Sequence, residues 1–271
     1  MGTETLLTSE PIEFPPCALC GVPYGAIPDE IVVAYRELEN AAPSLLRACL
    51  RAGYICNRCI AKTDDERRRD AVASLVEKTY KTGLLPKDAV AHRFGQVNTT
   101  WRNHNVEAWN KAIAWKFQPK GLYISGDPGR GKTFMARCIL NRTLDDGHSV
   151  MEVFTPEVSQ RICEQDYKIT VNSMQTVKLL LVDDLDKATW RNFCLTAFFA
   201  VIDARWRQKF PTIVTANYTG KALREKWMEQ YANDRGIAGS LIDRLNCDGI
   251  QLSGPSIRML MGKEINEEGS V

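Results

Sequence analysis

The chain has 271 residues, of which 44% are hydrophobic and 25% are charged, and its formal net charge is +2. This balance is typical of globular proteins and excludes an intrinsically disordered or fibrous chain. The length suits one well-buried domain with a smaller module beside it. The sequence has neither a long apolar run nor a signal-peptide pattern, so we expect a cytoplasmic protein that does not enter a membrane.

The first part of the chain contains two pairs of closely spaced cysteines. Residues 1–16 are rich in Thr, Glu and Pro, which predicts a flexible lead-in. The pairs follow within residues 17–62, and their members are Cys17, Cys20, Cys56 and Cys59. This spacing is typical of a zinc site formed by thiolates, which would be structural because closed tetrahedral ligation leaves no open position. We therefore predict a small helical zinc-binding domain, with buried free thiols or a redox pair as the alternatives.

Helical periodicity continues after the cysteine pairs. Residues 63–85 predict a linker helix, and residues 105–117 predict an amphipathic helix. Several tryptophans also lie on helical patterns, which favours packing over stacking on single-stranded DNA. These tryptophans are Trp109, Trp115, Trp190, Trp206 and Trp227.

From residue 121 onward, apolar strand patterns alternate with helical ones. The predicted strands are Gly121–Ser125, Ser149–Thr155, Lys178–Asp183, Thr212–Ala216 and Gly249–Leu252. Strands that are separated by helices predict a parallel sheet with helices on both faces. We therefore predict an α/β fold for residues 86–271.

A phosphate-binding loop follows the first of these strands. Its residues are Gly126, Asp127, Pro128, Gly129, Arg130, Gly131, Lys132 and Thr133. The match to Gly-x4-Gly-Lys-Thr is specific because an apolar strand precedes it and a helical pattern follows it. The glycines let backbone N–H groups face phosphates, the lysine reaches the β- and γ-phosphates, and the threonine hydroxyl can bind Mg²⁺. The loop therefore predicts ATP and Mg²⁺ as ligands; the alternative is a chance glycine-rich turn.

Two further strands end in polar side chains that such a site needs. The third strand ends in Asp183 and Asp184, which predicts a magnesium ligand followed by a general base or water-positioning group. A solvated strand terminus is the alternative for this pair. The fourth strand leads into Asn217, which can orient the attacking water or, alternatively, cap the next helix. Together with the loop, these residues predict ATP hydrolysis.

This succession of motifs resembles the AAA+ ATPases of the bacterial and phage replicative helicase-loader family, the DnaC and DnaI type, and the related IstB transposition helpers. The resemblance spans roughly residues 86–262. Besides the loop, several segments carry it: Leu181–Asp184, Ile202–Arg205, Pro211–Asn217, Gly239–Leu245 and Gly254–Arg258. It implies a P-loop AAA+ sheet in the larger domain.

The resemblance also implies roles for two arginines. Arg244 matches the family's arginine finger, which projects into the ATP site of a neighbouring subunit, and Arg258 matches a phosphate-sensing arginine. The chain is therefore expected to form a homo-oligomer. Asp184 stands where glutamate is frequent in the family, so we expect slow hydrolysis. Only 13 residues follow Arg258, and we expect the helical lid to be absent or minimal.

Three functions are compatible with these motifs. The resemblance and the cysteine-rich front domain favour a loader that places a hexameric replicative helicase on single-stranded DNA. The alternatives are an IstB-like transposition helper that assembles on duplex DNA, and an adaptor that uses ATP only as a conformational ligand. The expected partners are a replicative helicase, single-stranded DNA and further copies of this chain.

Overall fold

A computed structural model describes residues 57–97, 99–162, 167–187, 190, 192–245 and 247–257. The chain divides into two compact units, residues 1–70 and 71–271, and the fold given below is that of the second unit. Several predictions lie outside the described residues: the lead-in 1–16, Cys17, Cys20, Cys56 and Arg258. Cys59 is described only as a backbone position in a helix, so the zinc site stays a prediction.

A long helix, α1, spans Asn57–Lys81. It begins within the predicted cysteine domain and ends before Gly83, whose φ of +70° favours glycine. The helix predicted for residues 63–85 therefore starts and ends earlier than the sequence pattern indicates. From Ala71 onward it belongs to the second unit, where Leu75 packs against the core.

The other helices and strands alternate along the second unit. They are α2 (Thr99–His104), α3 (Val106–Ala114), β1 (Gly121–Gly126), α4 (Lys132–Asp145), β2 (Val150–Phe154), α5 (Thr155–Ile162), α6 (Tyr167–Thr176), β3 (Leu179–Asp183), α7 (Asn192–Gln208), β4 (Thr212–Ala216), α8 (Gly220–Gln230), α9 (Arg235–Leu245) and β5 (Cys247–Leu252). Short 3₁₀ turns occupy Lys87–Ala91, Phe94–Gln96, Leu185–Lys187 and Ala232–Asp234. The predicted strands are confirmed, and α3 lies within the amphipathic helix predicted for 105–117.

Within the described residues, five strands form one parallel sheet in the order β2-β3-β4-β1-β5. β1 is paired on both sides, with Ile124 opposite Thr215 of β4 and Ile250 of β5. Because all the strands run in the same direction, their carboxyl ends meet at one edge of the sheet. The predicted α/β fold, a parallel sheet flanked by helices, is confirmed.

Helices cover both faces of the sheet, as the alternation of side chains along each strand requires. On one face Leu122 and Ile124 of β1 share a cluster with Trp109 of α3 and side chains of α4. On the other face Tyr123 lies in a cluster with Phe198 of α7 and side chains of α8 and α9. The strands β3 and β4 are buried along their whole length because both faces are covered. No helix in the described part of the chain is long and apolar enough to cross a membrane.

The tryptophans predicted to pack are buried with one exception. Those with at most 5% exposure are Trp109, Trp115, Trp190 and Trp227. The prediction is wrong for Trp206 of α7, which is 51% exposed, whereas its neighbour Arg205 is 1% exposed. Side-chain hydropathy predicts that the tryptophan is buried and the arginine exposed, because a hydropathy scale takes no account of hydrogen-bond acceptors around a buried arginine.

The buried guanidinium of Arg205 donates hydrogen bonds at the edge of the sheet where β3 and β4 begin. Its Nε donates to the hydroxyl of Thr212 at 3.0 Å. Its terminal nitrogens donate at 2.5–3.2 Å to the carbonyl oxygens of Met174, Val177, Lys178 and Pro211. All five N–H groups of the guanidinium are therefore used, which is what a buried arginine without a carboxylate partner requires. The contacts connect α7 to the end of α6 and to the starts of two strands.

We expect Arg205→Met to lower the free energy of unfolding by about 3 kcal/mol or more, because buried carbonyl groups lose their donors while the side-chain volume is largely kept. Urea unfolding followed by circular dichroism measures the change. The control is Arg224→Met on α8, where the arginine is 46% exposed and pairs with Asp243 at 3.7 Å. It should alter stability by less than about 0.5 kcal/mol. Equal losses in the two variants would contradict the role of Arg205.

Candidate nucleotide-binding site

The loop between β1 and α4 has a backbone that favours glycine. Gly129 and Gly131 have φ values of +80° and +84°. A Cβ atom on Gly129 would lie 2.3 Å from Oγ of Ser256. The segment after β5 contacts the loop here, and the Ile257 N–H donates to the Gly129 carbonyl at 2.8 Å. Gly131 directly precedes α4, so the amides of the first helical turn lack partners within the helix and are available to an anion.

Lys132 is buried at the base of this loop, with 6% exposure. Its ammonium donates to the carbonyl oxygens of Gly126 at 2.7 Å and Asp127 at 3.1 Å, and to Oδ1 of Asn217 at 2.9 Å. Burial lowers the pKa of Lys132, and the nearby carboxylate of Asp184 acts in the opposite direction. The contacts hold a cation beneath the loop, where a phosphate group would need one.

Asp183, the last residue of β3, faces α4 and is 6% exposed. Its Oδ1 accepts from the Thr133 hydroxyl at 2.9 Å and from the Thr215 hydroxyl at 2.6 Å. Burial raises the pKa of the Asp183 carboxyl, and the two hydroxyl donors counteract this in part. Mg²⁺ in phosphate sites is bound through one or two carboxylates together with substrate oxygens, so the Asp183 and Thr133 oxygens fit this ion.

Asp184 has a φ of +54°, which turns the chain sharply after β3. Its N–H donates to the Thr215 hydroxyl at 2.9 Å, and its carboxylate pairs with Lys187. Because of the turn, the carboxylates have different surroundings: that of Asp183 contacts the start of α4, and Asp184 lines the cavity above the loop. Lys187 was not singled out from the sequence.

Asn217 contacts the loop lysine through an amide whose direction is fixed by a third carboxylate. Asp186 accepts from the Asn217 N–H and from its Nδ2, both at 2.9 Å, which leaves Oδ1 facing Lys132. The alternative role as a helix cap is wrong, because the Thr219 hydroxyl caps α8 by accepting from the Ala222 N–H at 3.3 Å. Asp186 was not predicted from the sequence; its position close behind the Asp183–Asp184 pair, as a further acidic residue, was the available signal.

A cavity of about 260 Å³ lies above these side chains. Its lining residues are Trp101, Pro128, Gly129, Arg130, Gly131, Lys132, Thr133, Phe134, Asp184, Lys187, Asn217 and Ile257. The rings of Trp101 and Phe134 meet edge to face, with centroids 6.2 Å apart, and form an aromatic wall. Apolar walls with a polar floor are typical of nucleotide and cofactor sites. Trp101 was missed because a single aromatic residue in a short helix has no motif to mark it.

Arg244 does not line this cavity. It lies near the end of α9, where its Nε donates to Oδ1 of Asp203 at 2.5 Å. Its guanidinium also lies over the rings of Phe199 and Trp206, 4.9 and 5.8 Å from their centroids. The structure thus brings the other predicted catalytic residues together and leaves Arg244 apart from them, and the role of Arg244 on a neighbouring subunit stays a prediction. Arg258 lies beyond the described residues.

Comparisons with known proteins identify an ATP-binding family, in agreement with the phosphate-binding loop and its surroundings. Residues 96–264 match the family described as IstB-like ATP binding protein. The replicative helicase loader DnaI of Bacillus subtilis is 28% identical over 110 residues, which are 39% of this chain and 35% of that protein. An IS21-like insertion-sequence protein of Bacteroides fragilis is 27% identical over 163 residues, 57% of this chain and 59% of that protein.

Solved structures show the same fold. A crystal structure of DnaI has a TM-score of 0.53 and 21% identity, and the match covers 62% of this chain and 95% of that one. At this identity the likeness shows the fold alone, and the matches to the two curated relatives span only 35% and 59% of their lengths. The family match covers more than half of the chain and includes both the loop and Arg244, which confirms the resemblance seen in the sequence. The chain therefore belongs to the IstB-like ATP-binding protein family.

Proposed function

We propose that this chain is a slow ATPase that loads a hexameric replicative DNA helicase onto single-stranded DNA in the cytoplasm, and that it oligomerises through a shared ATP site. One observation carries the ATPase proposal: Lys132, Asp183 and Asn217 converge from three neighbouring strand ends onto one loop. Membership of an ATP-binding family supports it. The choice of a helicase as partner is supported by the similarity to the loader DnaI.

The loop and its lysine bind the phosphates of ATP. Two loop carbonyl oxygens hold the Lys132 ammonium at 2.7 and 3.1 Å, so its position is set before the nucleotide arrives. The first turn of α4 adds the positive potential of a helix N-terminus. Thr133 and Asp183 supply the oxygens for Mg²⁺, which neutralises charge on the phosphates when bound.

Asp184 and Asn217 position the attacking water. The Asp184 carboxylate pairs with Lys187 and lines the cavity, where it can accept the hydrogen bond or proton of a water molecule. Asp186 fixes the Asn217 amide, whose oxygen is an acceptor of Lys132; a phosphate oxygen that binds this lysine displaces that contact. The Asn217 amide therefore loses its contact with Lys132 when the terminal phosphate binds. Because an aspartate reaches less far than the glutamate frequent in the family, turnover is slow.

Arg244 stabilises the charge on the terminal phosphate of a neighbouring subunit's ATP. Among the described lining residues of the cavity, Arg130 is the single arginine, and it pairs with Asp127 of the same loop at 3.1 Å. The site therefore gains a second arginine when another copy supplies it. Such a residue couples hydrolysis to assembly, because the site is complete only in the oligomer.

We expect Lys132→Ala and Arg244→Ala to separate ATP binding from turnover. Lys132→Ala should weaken ATP binding and reduce turnover at least about 100-fold, because the cation that contacts the phosphates is lost. Arg244→Ala should bind ATP normally but lose at least about 100-fold in kcat, since an arginine finger contributes about 10³–10⁵-fold. Fluorescent-nucleotide titration and phosphate release measure the two properties. Lys221→Ala, an exposed lysine on α8, is the control. Equal turnover in wild type and both variants would contradict the assignment of Lys132 and Arg244 to the ATP site.

A transposition helper is the second candidate function, because the similarity to the IS21-like protein covers 57% of the chain and that to DnaI covers 39%. Such a helper assembles on duplex DNA, whereas a loader binds a helicase. An adaptor with negligible turnover is the third candidate. Hydrolysis that depends on Lys132 would exclude the adaptor.

A loading assay with the full chain distinguishes the first two candidates. With ATP present, we expect the protein to co-purify with the replicative helicase and to increase the helicase retained on single-stranded DNA several-fold. The Lys132→Ala variant should lose this increase. ATP-dependent filaments on duplex DNA, without helicase binding, would contradict the loader and support the helper.

We also propose that the two cysteine pairs hold one structural zinc ion, a proposal supported by their spacing alone. Metal analysis of the full chain should find about one zinc per chain, and the double variant Cys56→Ser/Cys59→Ser should lose it because thiolate ligands are removed. Cys49→Ser, outside both pairs, should keep the metal. Full zinc content in the double variant would contradict the assignment.

A further inference from the structure

The face that carries Arg244 contains a second arginine to which the mechanism above assigns no role. Arg207 of α7 pairs with Oδ2 of Asp203, and Arg244 of α9 binds Oδ1 of the same carboxylate. The Asp203 side chain is 9% exposed, whereas that of Arg207 is 71% exposed. One buried carboxylate therefore holds two guanidinium groups from different helices.

The two arginines line a cavity whose charge is positive. This cavity has a volume of about 510 Å³ and also contains Lys209, together with the rings of Trp206 and Phe210. None of its described lining residues is acidic, and the single carboxylate beneath it balances only one of the two arginines. A cavity of this charge selects an anion.

The contacts of Arg244 leave donors for such an anion. Its strong contact is made by Nε, and Nη1 reaches the Ser240 carbonyl only at 3.5 Å, the outer limit of a hydrogen bond. The rings of Phe199 and Trp206 hold the guanidinium by cation–π contacts. Asp203 thus fixes the plane of Arg244, while the terminal nitrogens remain able to form the planar fork that recognises phosphate.

We propose that Arg207 and Arg244 together bind the terminal phosphate of the ATP held by a neighbouring copy of this chain, and that Asp203 is the residue that positions both. The inference rests on the shared ATP site proposed above and adds a second residue supplied by the neighbour. Two guanidinium groups match the charge spread over the three oxygens of a transferring phosphoryl group.

The backbone of a single-stranded nucleic acid is the competing ligand, since a basic cavity with an exposed tryptophan also fits one. The arrangement of the cations favours the nucleotide. Proteins that follow a nucleic-acid backbone spread cations along a groove, whereas Arg207 and Arg244 converge on one buried carboxylate.

The test uses Arg207→Ala in the full chain. The variant should bind ATP with wild-type affinity through its intact loop, and its kcat should fall at least about tenfold because part of the charge stabilisation is lost. Arg161→Ala is the matched control. Like Arg207, this arginine is largely exposed, at 63%, and it pairs with an acidic residue four positions earlier in its helix, Glu157, at 3.9 Å. It should leave kcat unchanged. Arg207→Lys, which keeps the charge but not the fork, should also lower kcat.

Mixing two variants with low turnover tests whether Arg207 acts on a neighbour. The Lys132→Ala variant keeps Arg207 and Arg244 intact, and the Arg207→Ala variant keeps the phosphate-binding loop intact. An interface that combines these two intact parts contains a complete site. Random assembly places the two intact halves together in about a quarter of the interfaces, so turnover should recover to about a quarter of wild type. Asp203→Asn should behave like Arg207→Ala, with a lower kcat, an unchanged affinity for ATP and recovery in the same mixture.

The outcomes separate this inference from the proposed function. Wild-type kcat in Arg207→Ala overturns the inference, as does a mixture that fails to recover while the corresponding Arg244→Ala mixture does. Loss of binding to a fluorescent single-stranded oligonucleotide with kcat unchanged also overturns it, in favour of a nucleic-acid site. If the Arg244→Ala mixture itself fails to recover, the shared ATP site is wrong, and the inference falls with it.

Discussion

The parallel pairing of β3, β4 and β1 is the constraint on which the candidate site depends. The loop continues from β1, Asp183 ends β3 and Asn217 follows β4, so the three strand ends lie side by side at one edge. This adjacency allows Lys132 to reach Asn217, and Thr133 to reach Asp183, at 2.9 Å each. Exchanging β4 with an outer strand would keep every motif in the sequence and still separate these side chains. The order of the strands is therefore as important as the motifs.

Burial determines the electrostatics of the same edge. Lys132 and Asp183 are each 6% exposed, and burial shifts their pKa values in opposite directions, down for the lysine and up for the carboxyl. Neutral oxygens and hydroxyl groups, at 2.6–3.1 Å, supply the hydrogen bonds of both charges. Hydrogen bonds are electrostatically stronger in such surroundings than in water. A bound triphosphate and its metal ion would add direct ionic contacts to these two charges, whose hydrogen bonds are otherwise made with neutral groups.

The sequence predicted the features that depend on local pattern and missed those that depend on tertiary contact. The strands, the loop and the position of Asn217 were predicted because strand periodicity and a glycine-rich motif are local signals. Asp186 carries only the signal of its position close behind Asp183 and Asp184, and Trp101 carries none, since their roles arise from elements distant in the sequence. Trp206 is exposed where the hydrophobic pattern predicts burial, and its neighbour Arg205 is buried because α6, the start of β4 and the residues just before β3 and β4 supply acceptors for it.

The position of Arg205 has a consequence for how the region around Arg207 and Arg244 is connected to the candidate nucleotide site. It lies on α7 between Asp203 and Arg207, and it donates to Thr212 at the start of β4, while Asn217 follows the end of that strand. β4 is buried and hydrogen-bonded to a neighbour on each side, so it does not stretch or slide without breaking these bonds. Five residues of strand span about 16 Å. The contact between Arg205 and Thr212 therefore joins α7 to one end of this strand, and Asn217 follows the other end. One stiff strand thus connects the helix that carries Arg207 with the strand end from which Asn217 contacts Lys132.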